Sequence, residues 1–143
     1  MARILIIEDV PENMELMRYL LNAFGHEVLS ATDGCSGLDA ATKVQPELIV
    51  CDVHLPGIDG YELVRRVRAL QALKTVPIVA VTALAMVGDR ERGLAAGFDG
   101  YLYKPIDPET FVNDLQRYLS RSNQAEELRS SGQLPHQDPG RKT

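Results

Sequence analysis

Residues 48–57 read Leu-Ile-Val-Cys-Asp-Val-His-Leu-Pro-Gly. Four apolar residues, Leu48–Cys51, run without a break into Asp52, and Leu55-Pro56-Gly57 then turns the chain. An apolar run with no polar alternation marks a strand covered on both faces, as in a parallel sheet flanked by helices. Ile4-Leu5-Ile6-Ile7 before Glu8-Asp9, and Ile78-Val79-Ala80-Val81 before Thr82-Ala83, repeat the pattern. Strands are therefore expected over Arg3–Ile7, Glu27–Ala31, Leu48–Cys51, Val76–Val81 and Gly100–Tyr103. Helices are expected between and after them, at about Pro11–Phe24, Ser36–Val44, Tyr61–Ala72, Val87–Ala96 and Pro108–Arg121. In the first, Met14, Leu16, Met17, Leu20, Leu21 and Phe24 recur at three-to-four spacing, Pro11 suits the first turn and Gly25 the C-cap. Met14 and Met17 read as core filler. Five strands alternating with five helices predict an α/β fold, a doubly wound (βα)5 parallel five-stranded sheet with right-handed crossovers.

The chain has 143 residues, which suits one domain. That domain is expected over 1–121. Residues 122–143 hold only Ala125, Leu128 and Leu134 as aliphatic residues. They read as a polar tail whose Gln124–Arg129 could extend the last helix. Fifteen Lys and Arg against twenty Asp and Glu give a net charge of −5. Gripping a phosphate backbone needs clustered positive charge, so nucleic acid is not an expected direct partner. No apolar run near the start suits a signal peptide or a membrane span, and a cytoplasmic protein is expected. Cys35 and Cys51 make neither a disulfide framework nor a metal-ligand spacing, and read as reduced thiols.

The polar residues gather at the strand ends. Glu8 and Asp9 follow the first strand, Asp52 the third, Thr82 the fourth and Lys104 the fifth. Doubly wound sheets bind ligands beyond the carboxyl ends of their strands, so these five side chains should converge. Three packed carboxylates repel, which raises pKa values or demands a cation, and an all-oxygen donor set suits magnesium. A carboxylate left as nucleophile beside that metal can attack a phosphoryl group, with Lys104 and Thr82 neutralising and positioning it. A metal-dependent aspartyl-phosphate site is the natural reading. Rivals fit less well. Glu8-Asp9-Val10-Pro11 has no glycine, which argues against a dinucleotide turn or P-loop. A haloacid-dehalogenase-like phosphatase carries Asp-x-Asp on its first strand, whereas Asp52-Val53-His54 sits on the third without the second aspartate. His54 reads as a loop residue whose backbone matters more than its ring. His26 is expected on the solvent side of a strand, and His136 in the tail. Tyr101 alone reads as a packing residue. Gly88 and Gly93 should make the fourth helix marginal, although Gly88 also suits the preceding loop.

These motifs, Glu8-Asp9, Asp52 with Leu55-Pro56-Gly57, Thr82-Ala83, and Tyr101 with Lys104-Pro105, resemble those of response-regulator receiver domains, the CheY-like family of two-component signalling. The resemblance spans about residues 2–121 and implies strand order 2-1-3-4-5. It implies that Asp52 accepts phosphoryl from a histidine kinase or histidine phosphotransfer protein. Magnesium would be held by Asp9, Asp52, the backbone carbonyl of His54 and, through water, Glu8. Thr82 would contact the phosphoryl group, Lys104 pair with it, and Tyr101 act as the switch aromatic. His54 and Leu84 would tune phosphoryl lifetime, and Lys104–Pro105 would be cis. Such a protein is a phosphoacceptor that catalyses its own transfer and dephosphorylation, not a turnover enzyme. Phosphorylation would turn Tyr101 inward and reshape the face of the fourth helix, fifth strand and fifth helix for a downstream protein target. Met1 and the short tail favour a stand-alone receiver. A phosphorelay shuttle, the receiver of a hybrid kinase, and homodimerisation stay open. Residues 80–86 and Lys104-Pro105-Ile106 are similar to those of stand-alone DivK-like and hybrid-kinase receivers.

Overall fold

Every neighbouring pair of strands in the sheet is parallel, in the order β2-β1-β3-β4-β5: β1 is Arg3–Ile7, β2 Glu27–Ala31, β3 Leu48–Asp52, β4 Ile78–Thr82 and β5 Gly100–Tyr103. The computed structural model describes residues 2–83 and 88–119. Helices α1 (Pro11–Ala23), α2 (Gly34–Val44), α3 (Gly60–Arg68), α4 (Asp89–Ala96) and α5 (111–119) alternate with the strands. Leu84, His136 and the tail 122–143 lie outside the described residues. Among those residues no helix is long and apolar enough to cross a membrane.

Successive strand residues face opposite sides, so each central strand serves two cores. Leu5, Ile7, Ile49, Cys51, Ile78 and Ala80 pack with Leu63, Val64 and Val67 of α3. Ile4, Ile6, Val50 and Val79 pack with Met14, Met17 and Leu21 of α1 and with Phe111 and Leu115 of α5. β3 and β4 are buried throughout, whereas β2 and β5 at the edges are partly exposed. That is why the three inner strands read as unbroken apolar runs.

Element ends differ from expectation where local hydrogen bonds intervene. α2 begins at Gly34, because the Asp33 side chain accepts from the Ser36 N–H at 2.8 Å and caps it. α3 stops at Arg68; Leu70 is extended, and a separate 3-10 turn, Gln71–Leu73, buries Leu73. β4 starts at Ile78, since Pro77 brings no N–H to the ladder and the Ile78 N–H donates to Asp99 Oδ2 at 2.8 Å. Residues 108–110 form a turn on Asp107, whose carbonyl accepts from Thr110 and Phe111, so α5 enters later than Pro108. Gly88 precedes α4 with φ 89°, a left-handed conformation, and is loop rather than helix.

Arg68 ties the amino-terminal edge of the sheet together. Its guanidinium donates to Gly97 O at 2.9 Å, Val76 O at 2.6 Å and Asp99 Oδ2 at 2.7 Å. The end of α3, the end of α4 and the entrances to β4 and β5 are thereby joined. His26 corrects the sequence reading. It is buried, not solvent-side: Gly25 (φ 87°) turns the chain back so that the His26 N–H meets Leu21 O. The ring lies at the start of β1, where Nδ1 accepts from the Ala2 N–H at 3.1 Å and Nε2 lies 3.4 Å from Gln116 Nε2 of α5. Burial pushes its pKa below the ordinary imidazole value.

Candidate functional site

Parallel register delivers the strand ends to one crevice. Ile7 is paired with Cys51, Asp52 with Val81, and Thr82 with Tyr103, so Glu8, Asp52, Thr82 and Lys104 leave adjacent strands at similar height. Carboxylate oxygens of Glu8, Asp9 and Asp52 all lie within 4.8 Å of one another. Glu8 and Asp52 are buried, and Asp9 is exposed at the rim. Lys104 bridges the two buried acids. Its Nζ donates to Asp52 Oδ2 at 2.9 Å and to Glu8 Oε2 at 3.2 Å. Glu8 Oε2 also accepts from the Val10 N–H, and Asp52 Oδ1 accepts from the His54 N–H at 3.0 Å. The Lys104 N–H donates to Thr82 O at 2.9 Å, which ties the lysine's backbone to that of the threonine. Lys104–Pro105 is cis.

Charge governs this crevice. Burial lifts the Glu8 pKa above the usual carboxylate value, although hydrogen bonds from Lys104 and Val10 pull the other way. Burial also pulls the Lys104 pKa down, but hydrogen bonds to Asp52 and Glu8 outweigh it and the net shift is upward. The ammonium is therefore held charged, and a single cation faces three carboxylates. Glu8 Oε1 is buried 3.0 Å from Lys104 Nζ without a hydrogen bond. An acceptor left in that state, among hard oxygen donors only, fits a divalent cation such as magnesium.

The other expected residues fall unevenly. Thr82 is buried at the end of β4. His54 is exposed, and its backbone N–H rather than its ring engages Asp52. Gly60 opens α3, and a Cβ there would stand 2.8 Å from Asp52 O and 2.7 Å from Val53 Cα. Its lack of a side chain lets α3 approach the backbone of this crevice. Tyr101, expected to turn inward on phosphorylation, is already inside. It is buried, its ring lies against Gly93 of α4, and its hydroxyl is 3.2 Å from that of Tyr61. Tyr61 was not singled out from sequence. A residue 40 positions from Tyr101, at the start of an ordinary amphipathic helix, gives no local signal.

Residues 4–116 match the family described as response regulator receiver domain. The polar-differentiation response regulator DivK of Brucella abortus is 37% identical over 116 residues, which cover 81% of this chain and 94% of that protein. The receiver domain of a sensor histidine kinase from Pseudomonas aeruginosa, solved with a magnesium ion coordinated in its active-site cleft, superposes with a TM-score of 0.77. The two are 36% identical, over 83% of this chain and 98% of that one. A CheY-like response regulator receiver domain protein from Methanospirillum hungatei superposes with a TM-score of 0.80 at 26% identity, over 86% of this chain and 97% of that one.

Proposed function

The chain belongs to the response regulator receiver domain family, and from that membership we propose that it is a phosphorylation-controlled adaptor of a two-component system. Asp52 accepts a phosphoryl group from a histidine kinase or histidine phosphotransfer protein and, when modified, changes affinity for a downstream protein target. The observation that carries this reading is the buried Asp52 carboxylate, 2.9 Å from Lys104 Nζ within a cluster of three acids.

In the transfer, one Asp52 carboxylate oxygen forms a bond to phosphorus while the phosphorus–nitrogen bond to the donor imidazole breaks. The electron pair of that bond stays with the imidazole, which picks up a proton on leaving. Asp9, Asp52, the His54 carbonyl and, through water, Glu8 are the groups that would hold magnesium. Bound there, the metal supplies charge neutralisation at the phosphoryl oxygens. Lys104 moves from its carboxylate partners to a phosphoryl oxygen, and the Thr82 hydroxyl takes another. Thr82 passes the change to the face of α4, β5 and α5, against which Tyr101 is already packed inward. His54 sets phosphoryl lifetime from the rim; Leu84, assigned the same role, lies outside the described residues. A cytoplasmic setting suits these partners. The similarity to DivK, over 94% of that protein, supports the adaptor reading.

Asp52→Asn keeps the shape and removes the nucleophile. Labelling by acetyl phosphate or a kinase in the presence of magnesium should vanish while the circular dichroism spectrum stays unchanged. Undiminished labelling would overturn the assignment.

A further inference from the structure

Tyr101 sits in a socket built by three elements. Gly93 forms its floor: a Cβ at residue 93 would stand 2.5 Å from Tyr101 Cε1 and 3.4 Å from Phe98 Cδ2. Phe98 packs edge-on to the Tyr101 ring, with centroids 6.2 Å apart, and Tyr103 does so at 5.6 Å. Tyr61 of α3 closes the inner end, one phenol donating to the other across 3.2 Å. The Tyr61 ring is in turn held between Phe98 and the Arg92 guanidinium, which lies 4.3 Å from its centroid. Gly93 is thus the helical residue that the socket requires. Its missing side chain provides room for the ring, a role separate from the helix weakening expected of it.

We infer that Tyr61 is a positioning residue for the switch: with the Gly93 socket, its hydroxyl holds Tyr101 inward before any phosphoryl group arrives. The inference rests on reading Asp52 and Thr82 as the phosphorylation site. A buried hydroxyl deprived of its partner bears the full cost of desolvation, whereas the same hydroxyl turned out to water does not. The Tyr61 hydroxyl therefore stabilises the inward ring specifically. If the inward ring accompanies the phosphoryl-engaged state, linkage requires that Tyr61 also favours phosphoryl binding. Tyr101→Phe needs no partner at that site and should make Tyr61 dispensable.

The test uses the full chain labelled with 3-fluorotyrosine, the Tyr101 fluorine resonance being identified by its loss in Tyr101→Phe. In the unmodified protein that resonance should already lie at the buried position and move little when magnesium and beryllofluoride are added. Tyr61→Phe should shift the inward-to-outward ratio about fivefold toward outward, and weaken beryllofluoride binding only in proportion to the inward fraction lost. Adding Tyr101→Phe to Tyr61→Phe should restore the affinity. Gly93→Ala, which fills the socket, should drive the resonance to the exposed position. The inference is overturned if the wild-type resonance is exposed until beryllofluoride is added, or if Tyr61→Phe changes neither resonance nor affinity. Failure of beryllofluoride to bind even the wild type would instead overturn the Asp52 reading, while the resonance without it still decides the role of Tyr61.

Discussion

Lys104 meets Asp52 across 52 residues of chain and Glu8 across 96, yet all three were readable, because each follows an expected strand, Glu8 and Asp52 directly after apolar runs. Tyr61 and His26 were not, because what they do depends on partners that no local pattern encodes. His26 carries a consequence for stability. Its folded pKa lies below the ordinary value of about 6.5, so the folded state favours the neutral ring. A depressed pKa contributes stability that is complete above the unfolded value and lost as pH falls toward the folded one. Protonation also removes the lone pair that accepts the Ala2 N–H. The urea midpoint should therefore fall between about pH 7.5 and about pH 5.5, and fall less in His26→Gln, whose amide oxygen can accept the same hydrogen bond at either pH. Equal losses in both proteins would assign the acid sensitivity to other groups.

At the scale of elements, β1, β2, β5 and the start of the first helix stand where the sequence puts them, the helix because Pro11 is a strong local entry signal. Three boundaries moved for local reasons. Asp33 lengthens α2, Pro77 shortens β4, and Asp107 delays α5. Gly60 makes the most demanding contact of this kind. Its N–H donates to Val53 O at 2.8 Å, and α3 starts there under an Asp59 cap. An added methyl would meet backbone, which cannot rotate away. Gly60→Ala should cost about 1–3 kcal/mol in urea unfolding, the usual range for overpacking. Because the displaced backbone carries Asp52 and the His54 N–H, labelling by acetyl phosphate should also slow severalfold at a temperature where the variant is fully folded. A normal labelling rate would show that the crevice tolerates the shift.

Across the whole molecule, the two cores share β1, β3 and β4, so neither face can come apart alone. Phe111 anchors the α1–α5 side and is almost fully buried. Phe111→Ala should cost about 3–5 kcal/mol. Its transition should remain single, with near-ultraviolet signals from Tyr61 and Tyr101 on the opposite face coinciding with the far-ultraviolet helix signal. Separate transitions would mean that the faces unfold independently. The Arg68 guanidinium adds a mechanical consequence. It grips the Gly97 carbonyl at one end of α4, while the other end begins at Gly88 with no side-chain cap. Any tilt of α4 about that grip would act as a lever. Eight residues span about 12 Å, so a tilt of about ten degrees carries the Asp89 end through about 2 Å and leaves the Gly97 end nearly still. A partner gripping α4 near Ala96 would feel such a tilt least, and one reaching past Arg90 would feel it most.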